Sequence, residues 1–158
     1  MSFQIGDLIA HPLHGAGVIS GIENRRINGR TQSYYTLKIS IGDILVLVPV
    51  DSCDKVGIRP VIARDTADDI LSRLRNAEIE VNQNWNKRYR ENMLRIRSGD
   101  LFEVAAVIKS LHIRDRERGL STGERKMLNC AKQILLSELV LSLGGTYEEA
   151  ESRLAAAI

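Results

Sequence analysis

The side chains best suited to chemistry in this sequence are few, and most fall short of a complete set. His11 and His14 lie three apart, the beginning of a metal site, but such an ion needs three or four protein ligands. His112 is the only other histidine, so the pair reads as two loop histidines beside Pro12 and Gly15. Cys53 and Cys130 are 77 positions apart, which is neither a metal-binding nor a redox spacing. Cys130 falls on the core side of a helical stretch and is expected to be a small buried hydrophobe. Gly15-Ala16-Gly17 begins like a nucleotide-binding loop, yet Ser20 stands in place of the third glycine and no Gly-Lys-Ser/Thr occurs. The carboxylates are scattered over helical faces, where solvation is their usual state. Nothing specifies an enzyme, and no cofactor or metal is expected.

Residues 84–97 carry a different chemistry. They hold Lys87, Arg88, Arg90, Arg95 and Arg97 against Glu91 alone, a local charge of +4. At helical spacing Trp85, Tyr89, Met93 and Ile96 share one stripe about 80° wide, with the basic residues on both flanks. Lys87 and Arg88 fall in the first turn, where the helix dipole disfavours each cation by a few tenths of a kcal/mol. A local rule broken without evident gain calls for an explanation. Either this is a nucleic-acid surface, with arginines on phosphates and an aromatic reaching the bases, or Trp85 and Tyr89 belong to a core. A second anomaly is the run Ile44–Val48, apolar on both faces and ended by Pro49. It reads either as an edge strand that receives a partner by strand addition, or as a strand covered by another part of the chain.

The elements that must position these residues divide the chain in two. Residues 1–62 read as β-structure: Gly6–Ala10, a strand from Val18 to Ile27, the Asn28-Gly29 hairpin signal, alternation at Tyr35, Leu37 and Ile39, a Gly42-Asp43 turn, and Ile44–Val48. Short strands at this spacing predict a strongly bent sheet or small SH3/Tudor-like barrel. Residues 63–158 read as helices near 66–75, 84–97, 100–118, 121–143 and 146–157. Thr66-x-x-Asp69, Asp100-x-x-Glu103, Ser121-x-x-Glu124 and Thr146-x-x-Glu149 supply N-cap patterns, and Asn84 can cap the basic helix. Gly99, Gly119 and Gly144-Gly145 sit where helices should stop. The expected fold is α+β, a small barrel at 1–62 followed by a compact helical bundle at 63–158.

Composition sets outer bounds. The chain has 158 residues, 44% hydrophobic and 27% charged, which excludes collagen-like and disordered classes. The net charge of +2 argues against a general polycation, but its distribution is uneven. The basic helix is balanced by a net charge of −3 over residues 137–158. No apolar run reaches the ~18 residues of a membrane span, and no signal peptide is visible, so the location expected is cytoplasmic.

An ordered series of motifs carries a resemblance over nearly the whole chain. It runs from Gly6-Asp7-x-x-x-x-Pro12-x-x-Gly15 through Leu37-Lys38, Val48-Pro49 and Val56-Gly57-Ile58-Arg59. It continues through Asn84-Trp85-Asn86-Lys87-Arg88-Tyr89, Ser98-Gly99-Asp100 and Asp115-Arg116-Glu117-Arg118-Gly119-Leu120-Ser121, then Glu124 and Met127-Leu128. In these the chain resembles the CarD/CdnL-type bacterial transcription regulators. The resemblance implies an N-terminal Tudor-like module that binds the β subunit of RNA polymerase and is similar to a module of the transcription-repair coupling factor. It puts Val46, Leu47, Val48 and Pro49 at that contact, with Arg25 as a charged neighbour. Some relatives carry arginine where Leu47 stands, although an apolar residue suits a paired edge. It further implies a helical domain on promoter DNA at the upstream edge of the melted bubble. Trp85 matches a tryptophan wedged in the minor groove. Lys87, Arg90, Arg114 and Arg125 match basic positions near the backbone, with Arg88 and Lys126 beside them. A non-enzymatic, nucleoid-associated monomer that stabilises the open complex is the resulting expectation. The competing readings are a protein–protein adaptor without DNA contact and a sequence-specific repressor. The repressor has the weaker case, because no recognition helix or dimerisation heptad is evident.

Overall fold

The computed structural model describes residues 2–158. Strands β1 (Leu8–His11), β2 (Gly15–Ile27), β3 (Arg30–Ile39), β4 (Leu45–Pro49) and β5 (Arg59–Pro60) form one antiparallel sheet in the order β4-β3-β2-β1-β5. A 3₁₀ turn at Val50–Ser52 and a short helix α1 (Cys53–Val56) lead from β4 to β5. Five longer helices follow: α2 (Arg64–Asn76), α3 (Trp85–Arg97), α4 (Leu101–Arg118), α5 (Thr122–Leu143) and α6 (Tyr147–Ala157). This is the expected α+β arrangement, sheet first and bundle second.

Local chemistry explains most of the boundaries. Asn28 (φ 52°) and Gly29 (φ 78°) both take positive φ, as the two-residue turn joining β2 to β3 requires. Alternation on β3 buries Tyr35, Leu37 and Ile39 against Phe3, Ile9, Ile19, Val48, Cys53 and Ile58, the core of the sheet half. Asn84 Oδ1 accepts from Lys87 N at 3.0 Å and opens α3. Asp100, Ser121 and Thr146 likewise cap α4, α5 and α6. The helical core gathers Leu71 and Leu74 of α2, Ile108 and Leu111 of α4, Leu135 and Leu139 of α5, and Leu154 of α6.

Two expectations are corrected. Thr66 caps nothing, because α2 begins two residues earlier with extended Ala63 in the cap position. Cys130 is exposed, not buried: the face of α5 that enters the core carries Ala131, Ile134 and Leu135.

The two halves are bound together along α5. Ala16 N donates to Ser137 Oγ at 2.8 Å, and Ser40 Oγ donates to the Ser137 carbonyl at 2.7 Å. Gln133 Nε2 donates to the Ile41 carbonyl at 3.0 Å. Glu138, only 1% exposed, accepts from both terminal nitrogens of Arg59, at 2.6 and 2.8 Å, and from Ile62 N at 2.9 Å. A Cβ on Gly15 would overlap the Ser137 hydroxyl, and one on Gly17 would overlap the Lys38 carbonyl. The Gly-Ala-Gly sequence therefore lets helix and strand approach closely, a packing requirement rather than a phosphate cradle.

Candidate nucleic-acid interface and docking face

Strand register sorts the candidate residues of the sheet half. Residues paired across antiparallel strands share a face, so Arg25↔Gln32, Ile27↔Arg30, Tyr34↔Pro49, Thr36↔Leu47 and Lys38↔Leu45 define one surface. Tyr35↔Val48 and Leu37↔Val46 define the other, which is the core. Arg25, Leu47 and Pro49 thus stand together on the outer face. Val48 is 1% exposed and Val46 packs against the same core, and the register turns their main-chain groups toward β3, so the outward-facing main chain of this edge belongs to Leu45 and Leu47. The alternation missing from the run Ile44–Val48 reflects an outer face that stays apolar: Leu45 is 66% exposed and Ile27 is 48% exposed. α5 packs on β2 and leaves Leu45 uncovered. β4 is also the edge of the sheet, so one side of its backbone lacks a strand partner. Arg25 Nε pairs with Glu23 at 3.1 Å, both side chains about half exposed. Leu45 joins this face as part of the run Ile44–Val48, and Tyr34 joins it although nothing in the sequence singled it out.

On α3 the apolar stripe descends from solvent to core. Ile96 is buried, Met93 and Tyr89 are partly buried against the helical core, and Trp85 at the head of the helix is 45% exposed. The indole is nevertheless held in place. It stacks on the Tyr89 ring with centroids 5.1 Å apart and planes 18° apart, and its Nε1 donates to Ser121 Oγ at 3.4 Å. Trp85, Asn86, Tyr89, Arg90, Met93 and Arg97 line a shallow surface groove of about 480 Å³. Lys87, Arg90, Arg125 and Lys126 are exposed. Arg125 shares Asp115 at 3.4 Å in a solvent-exposed pair, an arrangement worth little and easily exchanged. Arg114 is half-buried, and its Nε has no hydrogen-bond partner among the described residues.

Arg88 departs from the expected phosphate-contacting set. It is 2% exposed, with Nε donating to Glu124 Oε2 at 2.9 Å and Nη1 donating to the Asn82 carbonyl at 2.9 Å. A guanidinium so enclosed cannot also reach a surface phosphate. Burial alone would raise the Glu124 carboxyl. The Arg88 guanidinium and the Ser121 hydrogen bonds outweigh that and hold it below the usual carboxylate range. The cation in the first turn of α3 is thus explained by a fixed anion from α5, which leaves Lys87 as the first-turn cation facing solvent. Ser121 both caps α5, accepting from Glu124 N at 3.2 Å, and receives the Trp85 indole. Its capping pattern was visible in sequence. The links to residues 36 positions away were not.

His11 and His14 have ring centroids 4.6 Å apart. His11 is buried, and burial followed by the neighbouring His14 lowers its pKa to about 4. Its Nδ1 accepts from Leu13 N at 3.1 Å, which fixes the neutral form. Among the described residues no group of three or more His, Cys, Asp or Glu is placed to hold a metal, and no helix is long and apolar enough to cross a membrane.

Comparison with known proteins agrees with this geometry. Residues 3–62 match the CarD-like/TRCF RID domain family, and residues 69–155 match the CarD C-terminal domain family. The chain is similar to the Bacillus subtilis (strain 168) protein named "Putative transcription factor YdeB". The two are 34% identical over 150 residues, covering 95% of this chain and 98% of the relative. With both domain families matched in order and a full-length relative at this identity, the chain belongs to the CarD family.

Proposed function

We propose that this protein is a non-enzymatic transcription regulator that docks on the β subunit of RNA polymerase and stabilises the promoter open complex. In this reading the outer sheet face with Arg25, Leu47 and Pro49, together with the free β4 edge, meets the polymerase. Val46 and Val48 tie β4 to β3 and so seat that edge, while Leu45 and Leu47 turn their main-chain groups toward the partner. The helical half meets promoter DNA at the upstream edge of the bubble, with Trp85 as a minor-groove wedge and Lys87, Arg90, Arg114, Arg125 and Lys126 near the backbone. Residues 1–62 and 63–158 act as the two functional modules.

The observation that carries this reading is Trp85, a half-exposed indole stacked on Tyr89 at the head of a basic helix. An aromatic left in solvent yet fixed in position suits insertion between base pairs, because the side chain loses little freedom on binding. A few phosphate contacts alone give Kd values of order 10⁻⁴–10⁻⁶ M without sequence choice. Docking on polymerase makes the DNA contact intramolecular, at roughly millimolar effective concentration. A wedge that fits unstacked DNA better than intact duplex shifts the closed-to-open equilibrium by that difference in affinity. About 1.4 kcal/mol changes the ratio tenfold.

Trp85→Ala tests the reading. The variant should fold and bind polymerase as the parent does while open-complex lifetime, measured by competitor challenge, shortens. Global unfolding would assign Trp85 to the core. An unchanged lifetime would favour an adaptor without DNA contact.

A further inference from the structure

α5 touches both functional regions. Its N-terminal turn holds the wedge: Ser121 receives the Trp85 indole, and Glu124 anchors Arg88 of the same helix α3. Its later turns hold the sheet: Gln133 to Ile41, Ser137 to Ala16 and Ser40, and Glu138 to Arg59 and Ile62. At 1.5 Å per residue, Ser121 and Glu138 are about 25 Å apart along one uninterrupted helix.

We propose that α5 is a rigid strut that sets the distance and angle between the polymerase-docking face and the Trp85 wedge. Glu138, with Arg59, Ser40 and Gln133, then serves as a set of positioning residues for open-complex stabilisation. The proposal rests on the two-contact reading above and adds to it that the halves must be held in one relative geometry.

Three observations carry it. The junction between halves includes a set of directional bonds, which fix an angle where apolar contact alone would permit sliding. It includes a carboxylate 1% exposed whose two oxygens both accept bonds from the sheet half. The bonds at Gln133 and at Ser137 lie one turn apart, and Glu138 is the residue after Ser137, about 100° round the helix, so together they resist rotation about α5 as well as tilting. Finally, Gly15 leaves no room for a Cβ opposite Ser137, so the approach of helix to strand is built into the sequence. Effective concentration depends on geometry: a tether that lets the second module wander loses the advantage that a matched one gives.

The test separates geometry from affinity. Two full-length variants loosen the junction without touching either contact surface, Glu138→Gln and the double change Ser40→Ala with Gln133→Ala. Spin labels placed by Ser20→Cys and Glu91→Cys in a Cys130→Ser background report the distance between halves by pulsed electron resonance. The expected result is a broadened distance distribution and open-complex lifetime reduced about tenfold, with polymerase affinity and the DNA affinity of the free protein unchanged. A broadened distribution with unchanged lifetime would overturn the strut, and so would a distribution that stays narrow in both variants. If Glu138→Gln fails to fold, the double variant carries the test, because it leaves the ion pair intact. Trp85→Ala run in parallel distinguishes the two ideas. Loss of its own effect would overturn the DNA-wedge reading, whereas a potent Trp85→Ala beside inert junction variants would overturn only the strut.

Discussion

The outer sheet face and the head of α3 both present arginine beside apolar surface, but they are built on opposite foundations. The sheet face stands on strand alternation: what points inward is hydrocarbon, and Arg25 and Leu47 rest on a backbone that would exist without them. The head of α3 stands on a buried ion pair, Arg88–Glu124, with both side chains 3% exposed. Side chains on the sheet can therefore change binding without changing stability, whereas at α3 the surface and its support are separate residues two positions apart. Arg88 and Arg90 would look interchangeable in sequence. Burial makes one a foundation and leaves the other in solvent.

Four measurements would break or sharpen that contrast, in order of expected size. Arg88→Ala leaves Glu124 buried without its cation and should cost about 3–5 kcal/mol in denaturant unfolding. A loss below about 1 kcal/mol would return Arg88 to the surface. Acid should weaken the two regions in different windows. His11 of the sheet half has its pKa lowered to about 4, so the unfolded chain takes up its proton first. Stability is full above the unfolded value near 6.5 and falls as pH drops toward 4, by no more than about 3.4 kcal/mol. Glu124, held low, keeps its contribution down to the ordinary carboxylate range and loses it as pH falls from there through its lowered folded value. The pH dependence of unfolding should therefore begin near 6.5 and be removed above pH 5 by His11→Gln; an unaltered slope would acquit His11. Leu47→Asp should weaken polymerase binding about a hundredfold, near 2.7 kcal/mol, at unchanged Tm. Retained co-purification would move the docking face elsewhere. Arg90→Ala should leave stability within about 0.5 kcal/mol while reducing the slope of log affinity against log salt by about one unit. A slope equal to the parent's would remove Arg90 from the phosphate contacts.

How much of this was legible in the sequence follows the range of the forces involved. Strand alternation, the Asn28-Gly29 turn and the N-cap side chains act over a few residues, so the five long helices and the hairpin emerged close to their observed bounds. Thr66 failed because a capping pattern permits a start without requiring one, and the extended backbone at Ala63 came first. Cys130 failed because α5 is apolar enough around its circumference that one residue's rotation decides exposure. The aromatic-basic pattern of 84–97 located the candidate site, but the separate fates of Arg88 and Lys87 depend on Glu124, a residue from another helix. In the sequence Gly15-Ala16-Gly17 reads only as an incomplete nucleotide-binding loop. Only the opposing Ser137 and Lys38 show what it makes room for.

The sheet ends unevenly, and this limits how the molecule can assemble. Its β4 edge runs for five residues, while the opposite edge is β5, two residues long and closing on Pro60. Both edge strands close on a proline, which offers no amide to a neighbouring strand, so length alone sets them apart. On the proposed docking, strand addition is therefore monovalent: one partner extends the sheet at β4, and the stub at β5 is too short to pass the register on to the next molecule. A protein that sticks by its backbone would otherwise risk growing into fibrils. In that reading the topology that offers one long edge also makes every copy a chain terminator.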